Sequence, residues 1–392
     1  MRVSPFFRLV ALTAINHLCF SSVRLGVALY AVHLHASLAT VGILMGIFGL
    51  LSAITSVSAG RWIDRVGPRT PMLVASASMV AGAGLAFVWR DIAALYVVSA
   101  VVGTLFNVYF IAYQPLVGEY GTPAERVKNF SIASVGISIS SFIAPLITGF
   151  SIDHLGHPET FLLVAMLPLI PLVVIGSGHL PFPMKKKHEK STGTGSGEKS
   201  VWRLLRNPEL RRIYAVSLVL NITWNLFSFL IPLYCIEIGL SASSIGVVVG
   251  CYALASITSR MMVAPMSRYL TPWQTLIISG CIAGLCFAGF ALVHTFLALA
   301  VLSFCLGLGL GMATPTSQAM LYEIAPSNRI GEVMGLRTLM GNSMQTVVPL
   351  LSGAIGAALG LSPIFWALAA TQVAVTYVVR KQWLRQRMRR TT

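Results

Sequence analysis

The sequence predicts an all-α integral membrane protein of twelve transmembrane helices, arranged as two pseudo-symmetric six-helix bundles. Three observations carry that expectation: the composition, the spacing of the apolar runs and an internal repeat. Residues of the AVILMFWYC set make up 56% of the 392 residues and charged residues only 10%, with a mean hydropathy of +0.78. Soluble domains carry about 25% charged residues, so there is too little charge here to coat a water-facing surface. At about 20 apolar residues per span, the chain has room for about twelve spans with short loops.

The apolar runs fall at 7–33, 38–59, 71–89, 92–117, 128–150 and 160–178, then at 211–236, 241–264, 273–293, 296–321, 332–355 and 362–380. Lipid offers backbone groups no partners, so each span is expected to be a helix. The first run follows Arg2 and Arg8 without a small-residue cleavage site, which marks it as a span and not a removed signal peptide. Between the sixth and seventh runs lies KKKHEKSTGTGSGEK (185–199), basic and then rich in Gly, Ser and Thr, the character of a flexible linker. VWRLLRNPELRR (201–212) follows, and its Trp202, Leu204, Leu205 and arginines suit a short interfacial helix. The expected organisation is an N-terminal bundle at 1–184, a cytoplasmic linker with its interfacial helix at 185–208, and a C-terminal bundle at 209–392.

A gapless shift of 204 positions brings the two halves into register. Tyr30, Ser37, Gly42 and Gly46 fall on Tyr234, Ser241, Gly246 and Gly250, and Pro68 falls on Pro272. Gly103, Gln114 and Glu119 fall on Gly307, Gln318 and Glu323; Pro145, Gly149 and Gly156 fall on Pro349, Gly353 and Gly360. Chance alignment of apolar sequence yields Leu on Leu, not one offset that carries Pro, Gln, Glu and several Gly.

The net charge of +16 raises nucleic acid as a partner. Its placement answers that: with spans drawn between the clusters, 26 of the 28 Lys and Arg residues lie on one side, leaving Arg24 and Arg90. That is the positive-inside pattern, so both termini are expected in the cytoplasm of a bacterial inner-membrane protein and no nucleic acid is implied. The six cysteines lie in or at the ends of apolar runs without metal-ligand spacing, and suit packing. There is no phosphate-binding Gly-Lys motif, no His/Cys cluster and no Ser/His/Asp or paired-carboxylate set within the spans, so neither metal, cofactor nor enzymatic activity is expected.

The loop GRWIDRVGPR (60–69) resembles the signature loop between helices 2 and 3 of the major facilitator superfamily. Gly60, Asp64, Arg65, Gly67 and Arg69 fit that motif, while Pro68 stands where a basic residue is usual. The counterpart APMSRYLTPW (264–273) is degenerate, with Arg268 at the place of Asp64. Gly60 is expected to let helices approach closely and Gly67 to permit a tight turn. The resemblance implies a cytoplasmic gate in which Asp64 binds the N-terminus of the eleventh helix and nearby arginines, with Arg126 and Arg337 as candidates. The plainer alternative is that Arg61, Arg65 and Arg69 only set topology. FIAPLITGF (142–150) resembles a degraded form of the helix 5 motif of exporters: Pro145 and Gly149 match, Ala144 and Thr148 replace glycines, and VVPLLSG (347–353) echoes it. A Pro/Gly bend explains it equally well.

The same offset isolates polar stripes. The first span carries His17, Ser21 and Arg24 on one helical face, and the seventh answers with Asn221, Asn225 and Ser228. The fourth has Gly103, Asn107 and Gln114; the tenth has Gly307, Gly311, Thr314 and Gln318. The fifth gives Ser134, Ser138, Ser141 and Pro145, and the eleventh Thr338, Asn342, Gln345 and Pro349. Such side chains face protein or a water-filled cavity, and by the resemblance spans 1, 4, 7 and 10 line a central substrate cavity. Phe20 with its repeat mate Trp224, Tyr109 and Tyr113 join these faces. For any single serine, bonding between packed helices is the simpler reading.

Arg24 is two-thirds through the first span, where insertion scales charge about 2.5–3.5 kcal/mol for arginine. Every carboxylate lies near a membrane surface, and Glu237 is the one expected within reach. Two readings stand: Arg24 receives an anionic substrate group, or it is structural. With no central carboxylate, His17 is the candidate for proton coupling. These features point to a monomeric secondary transporter that moves a small organic solute by alternating access, with efflux favoured and protons the candidate coupling ion. The alternatives are an importer or facilitator of an organic anion bound through Arg24, and a non-transporting membrane receptor on the same fold. The basic tail RKQWLRQRMRR suits contact with anionic lipid.

Overall fold

The computed structural model describes residues 4–120, 126–178, 206–266, 268–325 and 330–391, with side chains at 126, 127, 264, 265, 330–332, 334, 335, 382 and 384–391 outside that set. Most of the expected linker, and residues 201–205 of the expected interfacial helix, lie outside the described residues.

The described residues form thirteen helices: α1 (Pro5–His33), α2 (Leu38–Val66), α3 (Arg69–Val88), α4 (Ile92–Glu119), α5 (Arg126–Leu155), α6 (His157–Ala165), α7 (Leu169–Gly176), α8 (Pro208–Glu237), α9 (Ala242–Met266), α10 (Pro272–Phe290), α11 (Phe296–Ile324), α12 (Ile330–Leu359) and α13 (Ser362–Thr391). Among the described residues eleven segments are long and apolar enough to cross a membrane, α6 and α7 together making one of them. The twelfth expected span, α12, matches them in length but carries Asn342, Ser343, Gln345 and Thr346 in its interior.

Helix ends follow local chemistry. Ser37 accepts from the Thr40 N–H at 3.2 Å to start α2, Asp91 accepts from the Ala93 N–H at 2.8 Å to start α4, and Thr271 with Gln274 forms a capping box on α10. Gly67 ends α2 at φ 82°, a conformation that strongly favours glycine. The sixth span differs from the continuous run expected over 160–178: it starts at His157 and breaks between Ala165 and Leu169. Pro168 stands at the break, where it has no N–H for the helix ladder.

Two compact units emerge. The first comprises Met1–Glu189, Ile231–Gly250 and Pro349–Ala354; the second comprises Lys190–Leu230, Cys251–Val348 and Ile355–Thr392. In the first, α4 packs on α2 and α3, α1 on α5, and α3 on α6. Its core gathers Phe6, Leu9, Val10, Leu12, Met72, Tyr109, Leu116, Val117 and Ile175, among others. In the second, α10 packs on α11 and α13. Its core gathers Leu210, Ile213, Tyr214, Val216, Leu276, Ala313, Met320, Leu321 and Val379, together with Val333. Apart from Val333, each of these positions is 204 residues beyond one of those named for the first core, so the sequence repeat is a repeat of packing positions.

The first unit also contains two helix crossings of one design. A Cβ added to Gly42 of α2 would lie 2.5 Å from the carbonyl oxygen of Pro349 in α12. A Cβ on Gly246 of α9 would collide with the carbonyl oxygen of Pro145 in α5 in the same manner. Leu350 then lies against Gly46 and Leu146 against Gly250, again at the 204-residue offset.

Candidate substrate-binding faces

The polar face of α1 meets its own unit first. His17 Nδ1 lies 2.7 Å from the Ser140 hydroxyl of α5, and its ring lies 5.4 Å from that of Phe106. Phe20 stacks on Phe106 at 4.3 Å with an interplanar angle of 16°, and meets Phe48 edge-on at 5.9 Å. Ser21 is half-buried. Arg24, the twentieth of the 29 residues of α1, is half-buried. It makes no hydrogen bond or ion pair with a described residue, Glu237 included, so the expected reach of Glu237 is not realised.

On α4 the expected set divides. The Asn107 amide donates to the Ser52 carbonyl at 3.1 Å and to the Ser56 hydroxyl at 3.0 Å, which ties α4 to α2. Tyr109 and Tyr113 were expected on the substrate cavity; instead they are buried in the apolar core, 0% and 3% exposed. Their rings satisfy the hydrophobic demand of α1, α3 and α4 packing, so they leave the substrate set. Gln114, one position past Tyr113, is exposed.

In the second unit Asn221 donates to the Ser217 carbonyl at 2.7 Å and Asn225 to the Asn221 carbonyl at 2.8 Å. Each amide thereby donates to a carbonyl of its own helix, and Asn225 is buried. Trp224 between them is 38% exposed; it stacks on Tyr252 of α9 at 5.0 Å, which in turn stacks on Phe227 at 4.5 Å. Ser228 and Gln345 are half-buried and Asn342 is exposed. Thr314 donates to the Leu310 carbonyl of its own helix at 3.2 Å.

Gln318 and Arg337 were expected in separate places, one in the cavity and one at the gate. They meet: with the amide oxygen turned toward α12, Gln318 accepts from Arg337 Nη1 at 2.9 Å and Nη2 at 3.2 Å. A guanidinium fork converging on one amide oxygen joins α11 to α12.

Within the loop at 60–69, Asp64, Arg61, Arg65 and Arg69 are exposed. Arg69 Nη2 donates to the Gly176 carbonyl at 3.0 Å, placing a cation at the C-terminus of α7. Among the described residues the expected close approach at Gly60 is not found, since an added Cβ there would meet none of them within 4 Å. Close approach depends on where two helices cross, and the crossing on α2 falls at Gly42 and Gly46. The side chain of Arg126 lies outside the described residues.

Three features escaped the sequence reading. Gln372 of α13 donates to the Thr223 hydroxyl of α8, both side chains buried. Tyr214 donates to the Val333 carbonyl at 2.9 Å. Asp153, at the end of α5, accepts the N–H groups of Ala242 and Ser243 at 3.0 and 2.8 Å. A polar residue at a repeat-broken position was the available signal, since the mates of Asp153 and Thr223 are Ala357 and Cys19.

Long apolar helices whose packing positions repeat at one offset define a multi-pass membrane protein. The family model of the Major Facilitator Superfamily matches residues 9–349 and 237–382, and the chain belongs to that superfamily of secondary transporters. It is 23% identical over 352 residues to the multidrug resistance protein MdtG of Salmonella paratyphi A, across 84% of this chain and 81% of that protein. The similarity to MdtG of Dickeya zeae is also 23%, over 340 residues with the same coverage. Among solved structures, a variant of the nucleoside transporter NupG superposes with a TM-score of 0.79 at 13% identity, covering 96% of this chain and 99% of that one. A variant of a peptide transporter POT superposes at 0.80 with 16% identity, covering 97% and 94%.

Proposed function

We propose that the protein is a bacterial inner-membrane exporter of small organic solutes, working as a monomer by alternating access with both termini in the cytoplasm. Its two bundles, 1–184 and 209–392, carry the transport faces and 185–208 connects them. The observation that carries export is the similarity over 84% of the chain to proteins named for multidrug resistance. The helix 5 stretch around Pro145 and Gly149 supports it, because its Pro and Gly sit at a tight crossing with α9.

The solute-facing set is His17, Phe20, Ser21, Arg24, Asn107, Gln114, Asn221, Trp224, Asn225, Ser228, Thr314, Gln318, Asn342 and Gln345. Of these, Asn107 and Gln318 also hold helices together, and Asn225 and Thr314 bond their own helices. Gly60, Asp64, Arg65, Gly67, Arg69, Arg126 and Arg337 make the cytoplasmic gate. Energy comes from an ion gradient, with protons the coupling ion and His17 the residue that carries them.

Uptake of a solute into inside-out vesicles tests the reading. Energised wild-type vesicles accumulate it, and Asp64→Asn loses the activity at equal membrane abundance. His17→Gln loses dependence on the pH gradient. Equal rates in wild type and Asp64→Asn overturn the gate, and an unchanged gradient dependence in His17→Gln overturns the coupling role.

A second reading, import or facilitated passage of an organic anion, is favoured by Arg24 alone: it is a cation in mid-helix without a partner among the described residues. Uptake into right-side-out vesicles, lost in Arg24→Gln, distinguishes it from export.

A further inference from the structure

We propose that each unit carries an aromatic platform for a planar ring of the solute, and that the one in the first unit is completed by Arg24, so that the solutes are aromatic organic acids. This rests on the transporter reading and adds a substrate class to it.

The repeat supplies the first observation. Phe20 and Trp224 are mates at the 204-residue offset, and so are Phe48 and Tyr252. The rings of each pair also touch, edge-on at 5.9 Å and 78° in the first unit and stacked at 5.0 Å and 28° in the second; in the first unit it is Phe106, whose mate is Leu310, that stacks on one face of Phe20. In each pair one ring is a buried support, Phe48 at 2% and Tyr252 at 6% exposure, and the other remains accessible. Trp224 is 38% exposed, and Phe20 is half-buried. A core pair would bury both rings.

Depth supplies the second. Phe20 is the sixteenth of the 29 residues of α1, and Trp224 the seventeenth of the thirty of α8. An aromatic that anchors a helix in the membrane interface sits at an end. These sit in the middle, and Trp224 shares its helical face with Asn221 and Ser228, one turn away on either side. A tryptophan ring presented among amides and hydroxyls offers an apolar, polarisable surface to a flat ligand and hydrogen-bonding groups around it.

Charge sets the class. Arg24 is one turn beyond Phe20 on the same face of α1 and has no counter-ion among the described residues. Every described carboxylate lies within the last or first turn of a helix, or caps one, from Asp64 and Asp91 to Glu237 and Glu323. A cationic ligand therefore meets no carboxylate at that depth, although aromatic faces alone attract cations. A carboxylate meets a guanidinium with two parallel donors. The ring of such a ligand stacks on the exposed aromatic and its acid group lies against Arg24.

The test uses purified full-length protein in detergent and three probes: 1-naphthoate, cyclohexanecarboxylate and 1-naphthylmethylammonium, titrated by calorimetry. Naphthoate is expected to bind at least about tenfold more tightly than either of the others, the size of a stacked pair's contribution. Phe20→Leu and Trp224→Leu each weaken naphthoate by about tenfold, Phe20→Tyr and Trp224→Phe retain most of the affinity, and Arg24→Gln removes the preference for naphthoate over naphthylmethylammonium. Phe20→Tyr and Trp224→Phe keep the test open should a leucine substitution fail to fold. Equal affinity for naphthoate and cyclohexanecarboxylate, no naphthoate binding at millimolar concentration, or folded leucine variants that bind as wild type overturn the platform. Counterflow of naphthoate in proteoliposomes separates the two readings: binding without counterflow overturns the transporter reading and leaves the platform, whereas counterflow indifferent to Phe20→Leu and Trp224→Leu overturns the platform alone.

Discussion

The carboxylate of Asp153 holds the first turn of α9 through the backbone of Ser243: Oδ2 accepts the Ser243 N–H at 2.8 Å while Oδ1 accepts that of Ala242 at 3.0 Å. An anion thus sits on two N–H groups that the helix leaves unsatisfied, where the macrodipole also favours negative charge. The repeat mate of Asp153 is Ala357, so this cap exists on one side of the repeat only.

Removing the cap is expected to cost about 0.5–2 kcal/mol, the range for an N-cap residue. Asp153→Ala should therefore lower the thermal melting temperature in detergent, and Asp153→Asn should lower it less because one carbonyl oxygen remains to accept. Static light scattering or intrinsic fluorescence during heating reads both. Identical melting of Asp153→Ala and wild type would show the contact to be energetically idle.

At the tight crossings, Gly42→Val and Gly246→Val drive a side chain into the carbonyl oxygens of Pro349 and Pro145. Each is expected to reduce folded yield severely, since backbone cannot yield as a side chain tip can. Gly60→Ala is the contrasting variant: its Cβ meets no described residue within 4 Å, and alanine is the better helix former by about 1 kcal/mol. Yield and melting temperature equal to or above wild type are expected. A folded Gly42→Val protein with wild-type melting would refute the crossing.

Arg337 depends on Gln318. Its Nε is buried without a partner among the described residues, and both terminal nitrogens converge on one amide oxygen. Gln318→Leu deprives a partly buried cation of its acceptor and is expected to destabilise by about 1–3 kcal/mol. Gln318→Glu supplies an anionic acceptor and should melt at or above wild type, with a gain that shrinks in high salt.

The buried bond between Gln372 and Thr223 joins α13 to α8. Gln372→Leu and Thr223→Val should each destabilise, because each orphans one buried polar group. The double variant should lose less than the sum of the two, as an apolar pair leaves nothing unsatisfied. Strict additivity in melting experiments would deny the coupling.

The fold was legible because membrane helices announce themselves through length and apolarity, and because Pro145, Gly149 and their mates carry steric consequences that a single offset preserves. The site was legible in part. His17, Arg24 and Asn107 stand out as polar residues among apolar ones, yet a stripe on one helix does not reveal which neighbour it meets: Asn107 turned out to serve α2, and His17 rests on Ser140. Tyr109 and Tyr113 misled because an aromatic with a polar tip suits a wet wall and a dry core alike. Gly60 misled for another reason, since a motif glycine gives the location of freedom but not of contact. Gln318 and Arg337 were each visible, and their meeting was not, because it joins residues whose relation the offset does not encode.

The paired cores have a steric corollary. Val10 and Tyr109 of one correspond to Tyr214 and Ala313 of the other, so the large ring sits on the first helix of the repeat in one core and on the fourth in the other. A residue grafted from one core into its mate position in the other is therefore expected to fit only when both positions are exchanged together, since a ring added alone overfills the site and a ring removed alone leaves a void.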